Sequence, residues 1–342
     1  MAASGSVLCS GYLVLDIVSH GKVLARTAGG TAGNVAANLS WLGHTSALLS
    51  RIGTDPAGDA VVADLAANGV DPGWLQRDPD VETPCLVHRV GIRGHSYSFS
   101  CSDCGRRFQS YRPPDMIGLP KTVRTFFFDR AGATTVALAE MVRERGGLVV
   151  FEPNGLGRES LTRRAMSLAQ VVKISEDRRD ALAPAKPPKY KPQLEIVTMG
   201  ARGLRFRLAG QRWNSLAPFP TSVIDAGGAG DWVTAGLLSS LSMDQIKERD
   251  AVATALRVGQ SLASHSCTFL GARGMATNAK PADVAELVSS RVHSAIPIPR
   301  GYRPPASISL GSTSSRCPTC LTPTGDPHEP TRVVGRELML SR

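Results

Sequence analysis

Residues 224–231 read Ile224-Asp225-Ala226-Gly227-Gly228-Ala229-Gly230-Asp231 and run directly into an apolar stretch with helical spacing, residues 232–241. A strand-end aspartate, a run of small residues and a helix start make up the layout of an anion site. The first N–H groups of a helix have no intrahelical partner, and the helix dipole draws a negative group toward them. Glycine lets that backbone approach a phosphate closely. Phosphoryl transfer needs such positioning and charge stabilisation more than covalent chemistry. Asp231, in the first helical turn, stands where it would take a proton from a hydroxyl attacking the phosphate. On the residues alone a second reading stays open, a plain small-residue turn in which Asp231 caps the helix. The stretch is not a Walker A loop, because no Gly-Lys-Ser/Thr follows the glycines.

On either side of this turn, strand-like and helix-like patterns alternate. Strand patterns fall at residues 7–18, 125–128, 148–151, 171–174, 194–198 and 204–208. Helical spacing falls at 33–42, 134–145, 163–168, 232–241, 248–264 and 281–292. The alternation predicts an α/β fold with a mainly parallel sheet covered on both faces. Residues 85–99 break the rhythm with a strand-like alternation around the turn 91–94, which predicts a hairpin set apart as a small lid. Residues 183–192 hold four prolines and read as irregular. From residue 297 the chain becomes rich in Pro, Ser, Thr and Gly, a tail without the makings of a packed core.

Composition narrows the function. A chain of 342 residues, 42% hydrophobic, buries a large core, and 5% aromatic content leaves little for a base-stacking nucleic-acid surface. The net charge of +10 suits an anionic partner such as a nucleotide, although a basic surface without special meaning fits it as well. No apolar run approaches the roughly 20 residues of a membrane helix. The apolar N-terminal stretch lacks the positive start of a signal peptide. Seven cysteines, an odd number, point to a reducing, cytoplasmic setting rather than a disulfide framework.

Two motifs carry a family resemblance. Asp225 with Gly228-Ala229-Gly230-Asp231 and Ala235-Gly236 is one. Gly29-Gly30-Thr31-Ala32-Gly33-Asn34-Val35-Ala36-Ala37-Asn38, closing at Leu42-Gly43, is the other. Together, in that order, they resemble the ribokinase-like (PfkB) carbohydrate kinases. Further similar segments are Gly11 through Asp16, Ile52-Gly53-Thr54-Asp55 with Gly58, and Phe151-Glu152-Pro153-Asn154. Thr198-Met199-Gly200-Ala201-Arg202-Gly203 and Gly271-Ala272 complete the set.

The resemblance implies a three-layer α/β/α fold with a mainly parallel central sheet and a small β-lid. The kinase domain would span residues 1–296, with lid elements at about 12–32 and 83–112, and the tail residues 297–342. It also implies ATP and Mg²⁺, a small sugar or nucleoside acceptor, and a homodimer formed through the lid. Asp231 would be the base, and the N–H groups of Gly228, Ala229 and Gly230 would hold the transferring phosphate. Asp16, Gly29, Gly30 and Asn34 would bind the acceptor; Thr198, Gly200, Gly203, Gly271 and Ala272 would border ATP. Two departures stand out. Ser175-Glu176-Asp177-Arg178 replaces the family's Asn-x-x-Glu, and bulky Trp232 follows the base where a small residue is usual.

Cys101-Ser102-Asp103-Cys104 and Cys317-Pro318-Thr319-Cys320 are outside the family pattern. Their spacing fits one shared structural zinc, a redox or intersubunit pair, or no site at all. Cys9, Cys85 and Cys267 read as buried small hydrophobes. Three functions compete: an ATP-dependent kinase, a sugar-binding regulator that has lost transfer, and a zinc-containing nucleic-acid binder. The intact Asp231 loop favours the first, the Ser175 to Arg178 change the second, and charge with the cysteine pairs the third.

Overall fold

The computed structural model describes residues 6–293, apart from 21–22, 92–93, 101–104, 106, 109–110, 117, 156 and 188. Both Cys-x-x-Cys pairs, Cys101/Cys104 and Cys317/Cys320, lie outside the described residues, as does the tail 297–342.

Phe126-Phe127-Phe128 shows how the main sheet forms. Successive side chains of a strand point to opposite faces, so a strand covered on both sides reads as an unbroken apolar run. Phe126 and Phe128 join one buried cluster and Phe127 the other. Phe128 stacks between Phe126 and Phe151, with centroids at 5.1 and 4.6 Å. Each such buried ring contributes about 1.5–3 kcal/mol.

The sheet has nine strands in the order β13-β12-β11-β10-β9-β8-β1-β4-β5. They are β1 (Ser6–Ser10), β4 (Ser46–Gly53), β5 (Leu75–Asp78), β8 (Val123–Phe128) and β9 (Leu148–Phe151). β10 (Val171–Ser175), β11 (Leu194–Thr198), β12 (Leu204–Leu208) and β13 (Asn214–Leu216) complete it. From β5 to β11 the neighbours are parallel; β12 and β13 are antiparallel additions. One face is covered by α3 (Ala133–Glu144) and α4 (Glu159–Leu168). The other is covered by α1 (Thr31–Trp41), α6 (Ala229–Ser240), α7 (Arg249–Ser266) and α9 (Pro281–His293). Three further helices are α2 (Pro56–Ala67), α5 (Arg179–Leu182) and α8 (Gly274–Asn278). Asp55 caps α2 by accepting from the Gly58 N–H at 2.8 Å.

A second sheet of four strands runs β3-β2-β6-β7, with β2 (Val14–His20), β3 (Val23–Gly29), β6 (Cys85–Gly91) and β7 (Gly94–Ser98). The hairpin expected at 85–99 is its β6–β7 pair. The single strand expected over 7–18 is instead two strands in different sheets. Tyr12 N–H donates to Asp129 Oδ1 at 2.9 Å rather than to a strand neighbour, and the chain leaves the large sheet there. Asp16 consequently lies inside β2 rather than at the end of the first strand. Periodicity also assigns no element to β3, β4, β5, β13 or α2. The proline-rich 183–192 segment opens with a single 3-10 turn, Ala183–Ala185.

Because the inner strands are parallel, the loops after β1, β8, β9 and β10 open on one edge, the usual place for a ligand in such sheets. Gly11, Asp129, Glu152 and Glu176 begin those loops. Cys9, Cys85 and Cys267 are buried and form no disulfide among the described residues. No described helix is long and apolar enough to cross a membrane.

Candidate active site

Asp225 organises the glycine loop. Its Oδ1 accepts from the Gly227 N–H at 2.7 Å and its Oδ2 from the Gly271 N–H at 2.8 Å, which ties the loop to the turn before α8. Gly228 is left-handed (φ 76°), and a Cβ there would meet the Ala272 Cβ at 2.4 Å. Only glycine fits both the backbone and the space. The helix then starts at Ala229, with Gly230 and Asp231 in its first turn. Lys173 Nζ is the nearest group to the open side of Gly230. Cation, dipole and helix-start amides thus converge on one spot. The Ala229 N–H reaches the Ala226 carbonyl at 3.2 Å, a long bond that an incoming phosphate would share or displace.

Asp231 is 7% exposed, and its Oδ2 accepts from Asn34 Nδ2 at 2.7 Å. Its carboxyl is pushed up to about 7, first by burial and next by Glu152; the Asn34 hydrogen bond and Lys173 oppose the rise. Glu152 is itself held by Lys173 Nζ at 2.5 Å and by the Thr234 hydroxyl at 2.9 Å. A buried carboxyl titrating near neutrality suits a general base.

The acceptor-side residues gather around α1. A Cβ on Gly29 would overlap the Asp16 carboxylate at 2.0 Å, and one on Gly30 (φ 85°) would strike the Tyr12 carbonyl at 2.2 Å. Among the described residues, Asp16 Oδ1 is buried without a hydrogen-bond partner. Burial pushes its carboxyl up to about 7, with Arg273 opposing and Asp225 adding to the rise. A buried orphan acceptor calls for a donor from a ligand, and a sugar hydroxyl is one. Asp129 is similarly raised, to about 6, by burial against Arg130 and the Tyr12 N–H.

Gly271 and Ala272 therefore join the loop, and Ala272 O also accepts from Trp232 Nε1 at 3.3 Å. The Trp232 ring is fully buried, edge-on to Trp41 at 5.4 Å, so its bulk serves α1–α6 packing. Thr198 ends β11, and Gly200 and Gly203 shape the turn into β12, closed by Met199 N–H to Gly203 O at 2.8 Å. Arg202 on that turn pairs with Glu176, just after β10. Ser175 donates to Asp177, so both carboxylates of the altered segment already have partners. Among the described residues no group of three or more His, Cys, Asp or Glu is arranged to hold a metal.

Sequence reasoning missed Asp129, Lys173 as a site cation, Thr234 and Arg273. Arg273 is 2% exposed and donates through Nε to Asn34 Oδ1 at 3.3 Å. The only available signal was an arginine directly after Gly271-Ala272, with no pattern to assign it inward.

Residues 10–96 and 135–279 match the pfkB family carbohydrate kinase model. The chain is 31% identical over 269 residues to the fructokinase of Escherichia coli, covering 70% of this chain and 85% of the relative. The structure of a Xylella fastidiosa fructokinase with bound ATP superimposes with a TM-score of 0.68 at 21% identity, over 84% of this chain and 99% of the other. Aminoimidazole riboside kinase from Salmonella enterica, complexed with aminoimidazole riboside and an ATP analogue, gives 0.65 at 20% identity, over 83% and 99%. The chain belongs to the pfkB family of carbohydrate kinases.

Proposed function

We propose that this kinase transfers the γ-phosphoryl group of ATP to a hydroxyl of a small sugar, with fructose the first candidate and Asp231 the base. The observation that carries the reading is the 2.7 Å hydrogen bond from Asn34 to Asp231, residues 197 apart in sequence. It joins the two motif segments in one buried place beside a cradle of backbone amides. The acceptor's hydroxyls would pair with Asp16, including its orphan Oδ1, and with Asn34, beside Gly29 and Gly30. Asp231 then takes the proton as the hydroxyl oxygen attacks phosphorus. The amides of Gly228, Ala229 and Gly230, with Lys173 beside them, face the charge that builds on the phosphoryl oxygens.

Thr198, Gly200, Gly203, Gly271 and Ala272 would border the nucleotide. Mg²⁺, carried by the phosphates, would neutralise charge on the triphosphate; Glu176 and Asp177 are the carboxylates for reaching it through water. A cytoplasmic setting, with ATP at hand and thiols reduced, belongs to the same reading. So does a homodimer through the four-stranded sheet, supported by Tyr97 and Phe99, which are 49% and 47% exposed on or beside β7. A zinc on Cys101, Cys104, Cys317 and Cys320 rests on spacing, and metal analysis of the purified chain checks it.

Nucleoside acceptors form a second reading, favoured by the likeness to aminoimidazole riboside kinase. Product mass after incubation with ATP, Mg²⁺ and fructose, ribose, aminoimidazole riboside or a nucleoside decides between them. A phosphorylated hexose is expected. A phosphorylated nucleoside alone would move the assignment, and no phosphorylated product from any acceptor would reject the kinase reading.

A further inference from the structure

Arg273 sits at the start of α8, almost fully buried. Arginine is rarely buried unless paired. Its Nη2 donates to the carbonyls of Ala28 at 3.1 Å and Gly33 at 3.2 Å. The same nitrogen lies 3.9 Å from Asp64 Oδ2, which also accepts from the Ala28 N–H at 3.0 Å. Nε donates to Asn34 Oδ1, while Nη1 is buried without a partner among the described residues.

The consequence falls on Asn34. Its Oδ1 is held by a group that only donates, so its NH₂ must face Asp231. Flipping the amide would set donor against donor at Arg273 and acceptor against carboxylate at Asp231. We propose that Arg273 is a positioning residue for phosphoryl transfer, aiming the Asn34 amide at Asp231 and so keeping that carboxylate ionised near neutral pH. The inference rests on Asp231 being the base.

Asp231 faces Glu152 after β9, Lys173 on β10, Asp129 after β8 and Asn34 on α1. Arg273 and the phenol of Tyr97 on β7 also stand in its field. Burial and the acidic neighbours raise it; Asn34, Lys173 and Arg273 act the other way. Loss of Arg273 removes one positive charge and frees the amide, and both changes favour the protonated acid. A brace that merely held β3 to α1 would, when lost, lower activity evenly at all pH.

The test is the pH profile of kcat, with saturating ATP, Mg²⁺ and acceptor, for wild type, Arg273→Met, Arg273→Lys and Asp231→Asn. The base must be unprotonated, so activity falls as pH drops through the folded-state value. For Arg273→Met the acidic limb should move up by about one unit, a roughly tenfold loss near pH 6 that largely disappears near pH 9. Arg273→Lys keeps the charge without the fork of donors and should fall between the two. It also decides the matter if the methionine variant does not fold. An unmoved limb in the folded variants, or an even loss across pH, overturns the proposal. If Asp231→Asn turns over like wild type, the base reading fails first. If that variant is inactive and the limbs coincide, only the role of Arg273 is lost.

Discussion

On the proposed reading the site has a phosphate end and an acceptor end, and the groups that would face the ligand at the first are mostly main chain. Gly228 holds a left-handed turn that no side chain would allow, Asp225 ties the loop to Gly271, and the helix start supplies N–H groups. At the acceptor end, the groups are side chains drawn from distant parts of the chain. Asp16 comes from β2, Asn34 from α1 and Arg273 from the start of α8, and hydrogen bonds run from Arg273 to Asn34 and from Asn34 to Asp231. A backbone cradle recognises any phosphate and is fixed by the fold. A side-chain network recognises one arrangement of hydroxyls and is open to replacement. Changes at the first end should lower kcat. Changes to a group that only binds the acceptor, such as Asp16, should raise the acceptor KM; Arg273, which acts through Asn34 on Asp231, should show in kcat.

That contrast is open to breaking. Short of removing the base, Gly228→Val should have the largest effect, because it adds both strain and a clash with Ala272. A loss of kcat of about 10²-fold or more, with an acceptor KM close to wild type, is expected in steady-state kinetics. A KM effect alone would blur the two ends.

Asp16→Asn comes next. The acceptor KM should rise by about tenfold or more while kcat changes less, since a carboxylate acceptor is lost at a hydroxyl site. Its pH dependence carries a sign as well. Burial raises the folded carboxyl from its ordinary 3.8 to about 7, so the native state binds the proton more tightly and is destabilised as pH rises through that window. Thermal unfolding should show Asp16→Asn more stable than wild type at pH 8, with the gain absent near pH 4. A variant less stable at pH 8 would contradict the burial argument.

Glu176→Ala should do least. Its pair with Arg202 is partly exposed, and such pairs contribute about 0–1 kcal/mol. Rates and unfolding temperature should barely move. A modest rise in the Mg²⁺ requirement would match contact of Glu176 with the metal through water, and an unchanged requirement would leave that task to Asp177.

The same division explains what the sequence disclosed. The turn through Gly228 and Gly230 into the helix that carries Asp231 was legible because small residues stand beside a helical apolar run. The triple phenylalanine was legible because a strand buried on both faces has no polar positions. The break after β1 was not, since it depends on Tyr12 N–H finding Asp129, 117 residues away. Arg273 was hidden for the same reason, its partner Asn34 lying 239 residues earlier. Periodicity reports which face a residue occupies, and it is silent on which polar groups meet across the fold.

Transfer of labelled γ-phosphate from ATP to fructose by the wild-type chain and by Asp231→Asn, with ADP binding measured on both, tests whether Asp231 is the base. The wild type should phosphorylate the sugar, and the variant should lose about 10³-fold or more in kcat while binding ADP as before. Turnover by the variant within a few-fold of wild type would show that Asp231 is not the base and that the central claim is wrong.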